Sequence, residues 1–326
     1  MSTTLLEPDS LKDFGVSAQT VRKLIDNGIT TMEALAYSPP KEVVDYTGIG
    51  IETAEKAVRR AQSIVSPGFR PADEFKASDE KKPLCTTGCG ELDRILGGGI
   101  RTGAITEIIG EYAGGKTQLC FVLAVMAQRP VAEGGLDGRV AYIDTEGTFV
   151  SSRVEQIAEA RGFDPSESLR GILLAKAFNT THQLLLISQL NKLCQENNIR
   201  LVVVDSMISH LRDEYIGRAT LADRQGQLGR MLGQLLRIAE ANTVAVVVTN
   251  QMITTPDGAL FGDPNKPAGG HIMAHAGTYR LRLWKSSANT RVAAVIDSSH
   301  LPEEKIRFAI TEKGIEDLPD KKEPEA

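Results

Sequence analysis

Eight residues constrain this chain more than any others. Gly110-Glu-Tyr-Ala-Gly-Gly-Lys-Thr117 satisfies G-x-x-x-x-G-K-[ST] at each fixed position. The chemistry needs these residue types at this spacing. Glycines let the backbone turn its N–H groups inward around phosphate oxygens with no Cβ in the way. Lys116 then places an ammonium on the β- and γ-phosphates, and the Thr117 hydroxyl is positioned for Mg²⁺. A short strand pattern, Ala104–Ile109, precedes the loop, and a helical pattern beginning at Lys116 follows it, adding the positive end of its dipole. The candidate nucleotide contacts are therefore Gly110, Glu111, Tyr112, Ala113, Gly114, Gly115, Lys116, Thr117 and the adjoining Gln118.

A loop of this kind demands a carboxylate at the end of a neighbouring buried strand to direct the metal. Asp205 closes Leu201-Val-Val-Val-Asp205 and has that form. Hydrolysis needs a further group to orient or deprotonate water. Tyr142-Ile-Asp144-Thr-Glu146 offers two, and position just past the strand favours Glu146, with Asp144 left to a structural role. Thr249-Asn250-Gln251 ends another run, where the Gln251 amide can sense the γ-phosphate and report its loss to the next loop. The short apolar runs Ala104–Ile109, Val140–Asp144, Leu201–Asp205 and Thr243–Thr249 read as buried parallel strands. Helical patterns at Lys116–Gln128, Thr181–Asn197 and Ala222–Ala241 fall between them. The alternation predicts an α/β core over 84–326, with a mostly parallel central sheet and its ligand at the carboxyl ends of the strands.

Composition sets wider bounds. Apolar residues are 41% of 326, enough for a large core, and the net charge is −5. That charge argues against coating nucleic acid with the whole surface but leaves a local basic lining open. No apolar run reaches the roughly 18 residues needed to cross a bilayer. The four cysteines lack metal spacing, so reduced thiols and an intracellular protein (cytoplasm or nucleoid in a prokaryote) are expected. Residues 1–65 read as short helices in a small all-α domain, and 66–83, rich in Pro and charge, as a linker. Within 1–65, Thr47-Gly48-Ile49-Gly50 followed by Ala54 is a helix–hairpin–helix pattern. Gly48 and Gly50 would turn backbone N–H groups toward a DNA phosphate. Two later segments read as loops: Arg212–Gln225, with Arg212, Arg218 and Arg224 six apart, and Met252–Gly270, ending in Gly269 and Gly270. Such arginines suit a phosphate backbone, although on charge alone a solvated face paired to Asp213, Glu214 and Asp223 is the plainer reading.

Taken in order, these pieces resemble the RadA recombinase family of archaea, within the RecA superfamily, over nearly the whole chain. The resemblance is carried by GGGIRTGAITEIIGE, YIDTEGTF, EYIGR-x-x-LADRQ, VTNQ, FGDP, GGHIMAH and HLPE. It implies a RecA-like P-loop core, ATP with Mg²⁺ and a possible monovalent cation such as K⁺ at Asp297, and filaments or rings of this chain. It also implies single- and double-stranded DNA as partners, with recombination mediator proteins beside them and no membrane. By residue, Arg153 would stack on adenine, and Asp297 through Pro302 would cap the ATP of a neighbouring subunit near His275. Arg212, Arg218 and Arg224 would serve the first DNA loop, and Met252–Gly270 would form the second. Phe69-Arg-Pro-Ala72 matches the Phe-x-x-Ala element by which one subunit's linker holds the next. Departures lie at Trp284, Ser287 and Ala294, where relatives often carry basic residues. Ser299 replaces a proline of the cap. The readings that compete with a strand-exchange recombinase are an ATP-binding paralogue acting as mediator and another RecA-like motor.

Overall fold

The computed structural model describes residues 5–65, 71–217, 219–254 and 265–319. The first helical unit comprises α1 (Ala18–Asp26), α2 (Met32–Tyr37), α3 (Pro40–Thr47) and α4 (Ile51–Val65). They close on their own core, in which Leu11, Val21, Leu24, Leu35, Val43 and Ala54 are buried. Side chains of Ser17 and Thr31 cap α1 and α2 by accepting from Thr20 N and Ala34 N. Gly48 adopts φ 64° and closes α3, while Ile49 is buried beneath the turn. The segment read as a linker contains a helix, α5 (Ala72–Asp79), whose side chains are exposed almost throughout.

Next comes a small pairing of β1 (Leu84–Cys85) with β2 (Ile100–Arg101) around α6 (Gly90–Ile95). The core then runs β3 (Ala104–Gly110), α7 (Lys116–Met126), β4 (Arg139–Asp144), α8 (Ser151–Ala160), α9 (Pro165–Arg170), β5 (Ile172–Lys176), α10 (Thr180–Glu196) and β6 (Ile199–Asp205). It continues with α11 (Ser209–Glu214), α12 (Leu221–Asn242), β7 (Ala245–Thr254), β8 (Asn265–Pro267), α13 (Gly270–Ala276), β9 (Tyr279–Lys285), β10 (Thr290–Ser298), β11 (Lys305–Thr311) and β12 (Gly314–Asp317). One sheet takes the order β12-β11-β10-β9-β3-β7-β6-β4-β5, with β8 beside β7. From β9 to β5 neighbours are parallel, and β9 to β12 form an antiparallel extension.

Burial on both faces explains the unbroken apolar runs. Leu201 and Val203 of β6 enter the layer beneath α7, and Val202 and Val204 enter the layer beneath α10 and α12. β7 repeats the alternation with Ala245 and Val247 against Val246 and Val248. Helix α7 is apolar all round from Leu119 to Met126 because it lies wholly inside.

Regular structure takes in parts of the second expected loop, Met252–Gly270, on both sides of 255–264, which lie outside the described residues. Strand β7 continues to Thr254 and pairs antiparallel with β8, Met252 opposite Pro267 and Ile253 opposite Lys266. Gly270 already belongs to α13. The first arginine segment is likewise mostly helical, with Arg212 in α11 and Arg224 in α12.

Candidate nucleotide-binding and hydrolysis site

Strand order places the site. β3 and β4 follow one another in sequence, but β7 and β6 lie between them in the sheet, so their carboxyl ends open a crevice. The phosphate loop leaves β3, Asp205 ends β6, Glu146 follows β4, and Gln251 stands near the end of β7. They surround one cavity of about 700 Å³, lined by the loop except Glu111 and by Gln118, Glu146, Arg153, Asp205, Gln251, Arg291 and Ile310 among others.

Loop geometry depends on close approach. A Cβ at Gly110 would stand 2.4 Å from the Leu283 carbonyl oxygen, and one at Gly114 would stand 3.0 Å from it. Gly115 takes φ 105° as it caps α7, and Ala113 takes φ 59°. Tyr112 is 99% exposed. Lys116 Nζ donates to the carbonyls of Gly110 at 2.9 Å and Glu111 at 3.0 Å. Burial lowers its pKa, against the pull of Asp205 and Glu146.

Asp205 gathers three hydroxyls. Thr117 donates to Oδ2 at 2.8 Å, Tyr142 to Oδ2 at 3.1 Å and Thr249 to Oδ1 at 2.5 Å. Burial, then the Asp205 charge, raises the Tyr142 pKa, so the phenol stays a donor. The Thr117 hydroxyl with the Asp205 carboxylate is a pair of hard oxygen donors of the type Mg²⁺ takes beside water and phosphate. The peptide between Asp205 and Ser206 is cis.

The two carboxylates after β4 have different tasks. Asp144 is 1% exposed and accepts from the backbone N–H groups of Glu146, Gly147, Thr148 and Phe149 at 2.8–3.2 Å, which fixes the turn. Glu146 instead turns its carboxylate to the cavity, where Gln251 Nε2 donates to it at 2.7 Å. Arg212 Nη1 donates to Gln251 Oε1 at 2.8 Å. A continuous path thus joins the carboxylate beside the phosphate loop to the first arginine segment.

Arg153 reaches from α8 to the far end of the cavity. Its Nε donates to Gln118 Oε1 at 2.9 Å and its Nη2 to Thr311 O at 2.5 Å. Asp297, Pro302 and His275 do not line this cavity. Asp297 lies 3.8 Å from Arg280, and His275 stacks on His271 with centroids 6.2 Å apart. Gly269 holds φ 84° against Met273, Ile208 and Leu228. Arg224 Nε is buried with no hydrogen-bond partner among the described residues. Gly48 and Gly50 are exposed, with nothing within 4 Å of a Cβ built on either. Ala72 is exposed at the start of α5, whereas Phe69 and Arg218 lie outside the described residues.

Tyr142, Thr249 and Arg291 belong to the site without having been read from the sequence. Tyr142 sits two residues before Asp144 on the same strand face, a spacing that could have marked it. Thr249 has no such local signal, because its partner Asp205 is on the adjacent strand.

All four cysteines are buried, and burial raises every thiol, to about 12 for Cys89 and Cys194. No described helix is long and apolar enough to cross a membrane.

Residues 81–318 match the family model described as Rad51. The DNA repair and recombination protein RadA of Aeropyrum pernix is 46% identical over 303 residues, covering 93% of this chain and 95% of its own. The protein of the same name from Cenarchaeum symbiosum is 43% identical over 309 residues, covering 93% and 77%. That of Ignicoccus hospitalis is 42% identical over 326 residues, covering 98% and 99%.

Proposed function

Because the chain belongs to the Rad51 family, we propose that it is an ATP-dependent DNA strand-exchange recombinase. It assembles on single-stranded DNA, pairs that strand with a homologous duplex and serves homologous recombination and DNA repair. The observation that carries this reading is the path Glu146–Gln251–Arg212, which ties a hydrolysis site to a candidate DNA contact.

Glu146 takes the proton of the attacking water, while Lys116 and the loop N–H groups stabilise the charge that develops on the γ-phosphate as its bond to the β-phosphate oxygen breaks. Mg²⁺ held by Thr117 and Asp205 would neutralise part of that charge. Gln118 and Arg153 orient the nucleotide from the other end of the cavity. A DNA phosphate that engages the Arg212 guanidinium competes with Gln251 for it. Gln251 is then free to reorient between Glu146 and the γ-phosphate, which makes turnover respond to DNA. Arg218, Arg224, Gly269, Gly270 and the hairpin glycines Gly48 and Gly50 hold backbone phosphates without reading sequence.

Asp297, Pro302 and His275, which do not line their own chain's cavity, act on the nucleotide of a neighbouring copy. Phe69 and Ala72 join that copy, and Phe69→Glu is expected to give monomers in sedimentation where the parent protein forms assemblies. The mediator reading is disfavoured because Lys116, Thr117, Glu146, Asp205 and Gln251 all meet at one cavity. The deciding experiment measures ATP hydrolysis with and without single-stranded DNA and images the same samples for filaments. Hydrolysis indifferent to DNA, with closed rings alone, would overturn the proposal.

A further inference from the structure

We propose that Arg291, on β10, is a positioning residue of the nucleotide site that holds the phosphate loop in its binding shape from outside the loop. The inference rests on the reading of Gly110–Thr117 as a nucleotide phosphate site. Arg291 is 8% exposed and lines the cavity. Its Nε donates to the Ala113 carbonyl at 3.0 Å. Its Nη1 donates to the carbonyls of Ser287 at 3.3 Å, Ala288 at 3.2 Å and Thr290 at 3.2 Å. The guanidinium therefore bridges the apex of the phosphate loop and the turn between β9 and β10.

Three observations make this bridge more than packing. Ala113 holds φ 59°, a conformation that residues with a Cβ adopt reluctantly and keep only where their surroundings impose it. The bond from Arg291 is such an imposition, applied at that residue's own carbonyl. The stem of Arg291 also lies along the loop, its Cγ 3.6 Å from a Cβ built on Gly115. Finally, every acceptor of the guanidinium is a neutral carbonyl, and no acidic side chain among the described residues pairs with it. A buried cation so placed lacks a counter-charge, and an anion in the cavity it lines would supply one. The ligand class that fits is a nucleoside di- or triphosphate. Arg291 acts on it by fixing the direction of the loop N–H groups and by adding positive potential behind Lys116.

Dissociation constants of the full chain for ADP and for a non-hydrolysable ATP analogue test this, together with the thermal midpoint of nucleotide-free protein. Arg291→Met is expected to weaken both nucleotides about tenfold. Arg291→Lys, which keeps the charge but loses the planar fork, is expected to fall between Arg291→Met and the parent. Lys116→Ala is the control for the loop itself. Lost binding in Lys116→Ala beside full binding in Arg291→Met overturns the inference and leaves the loop reading standing. Parent protein that binds neither nucleotide overturns both. A lowered midpoint in Arg291→Met with unchanged affinity of the folded fraction assigns a structural role alone and also overturns it.

Discussion

Lys116 occupies a place that disfavours its charge: burial depresses the ammonium pKa, and Asp205 and Glu146 restore only part of it. Bound phosphate would add negative charge beside it and raise the value again. The bound-state pKa then exceeds the free-state pKa, so affinity is fully present below the free value and declines as pH rises through it. Titration with a fluorescent ADP analogue is expected to show that decline setting in below pH 10.5, the ordinary lysine value. Constant affinity across that range would remove Lys116 from the phosphate contact. The neighbouring carboxylates separate in the same way, by what each already binds. Asp144 accepts four backbone N–H groups, whereas Glu146 accepts the Gln251 amide at the cavity edge. Glu146→Gln should therefore abolish ATP turnover while sparing nucleotide affinity and the denaturant midpoint. Asp144→Asn should cost about 1–3 kcal/mol of stability, because it weakens charge-assisted bonds that define the turn. Denaturant unfolding and hydrolysis rates on both variants check the division; full turnover by Glu146→Gln would sink the assignment of the base.

Strands show which parts of this site sequence can reveal. Asp205 and Glu146 were legible because each follows a run that is apolar on both faces, and the run's end fixes the position. The phosphate loop was legible from its own glycines and lysine instead, since β3 before it carries Thr106 and Glu107. Strand β7 was legible only to Thr249, since its polar continuation through Gln251 looks like an exit. Long-range pairing keeps it in the sheet: Asn250 stands opposite Ile109, and Gln251 opposite Gly110. The antiparallel extension carries a signal of period two, with Tyr279, Leu281 and Leu283 buried between Arg280, Arg282 and Trp284, but its charged residues break every apolar run. That extension is what backs the phosphate loop. The loop glycines look like a requirement of phosphate alone, yet Gly110 and Gly114 also face the Leu283 carbonyl. Gly110→Ala is expected to displace β3 from β9, lowering stability by about 1–3 kcal/mol as well as abolishing nucleotide binding. Gly114→Ala, with 3.0 Å available, should impair binding with a smaller loss of stability. Equal stability of Gly110→Ala and parent protein, by denaturant titration, would show that β9 yields.

The helical unit of residues 5–65 is docked on the α/β core rather than tethered beside it. Gly28 sits at the contact with φ 85°, and a Cβ there would come 2.8 Å from the Ser188 carbonyl oxygen on α10. Its own carbonyl accepts from Asn191 Nδ2 at 2.9 Å. From sequence this glycine is only a break between helices; its second reason lies more than a hundred residues away. Thr30 bonds Gln195, and α3 faces α12 through Glu42–Arg237 at 2.6 Å and Asp45–Arg230 at 3.3 Å. The Glu42 and Arg237 side chains are 10% and 25% exposed, so the pair is neither free surface nor interior. Removing one partner should then cost about 1–2 kcal/mol, between the surface and buried cases. Replacing both acids, Glu42→Gln with Asp45→Asn, is expected to release the helical unit while both cores stay folded. Small-angle scattering on monomeric protein would register a larger radius of gyration in the double variant, and in the parent protein a rise toward that value as salt screens the pairs. The exposed hairpin glycines, Gly48 and Gly50, lie on the unit so released. If docking positions them for DNA, the double variant should bind single-stranded DNA more weakly at equal salt, with nucleotide affinity unchanged. An unaltered radius of gyration would place the hold in Gly28 and Asn191 rather than in the ion pairs.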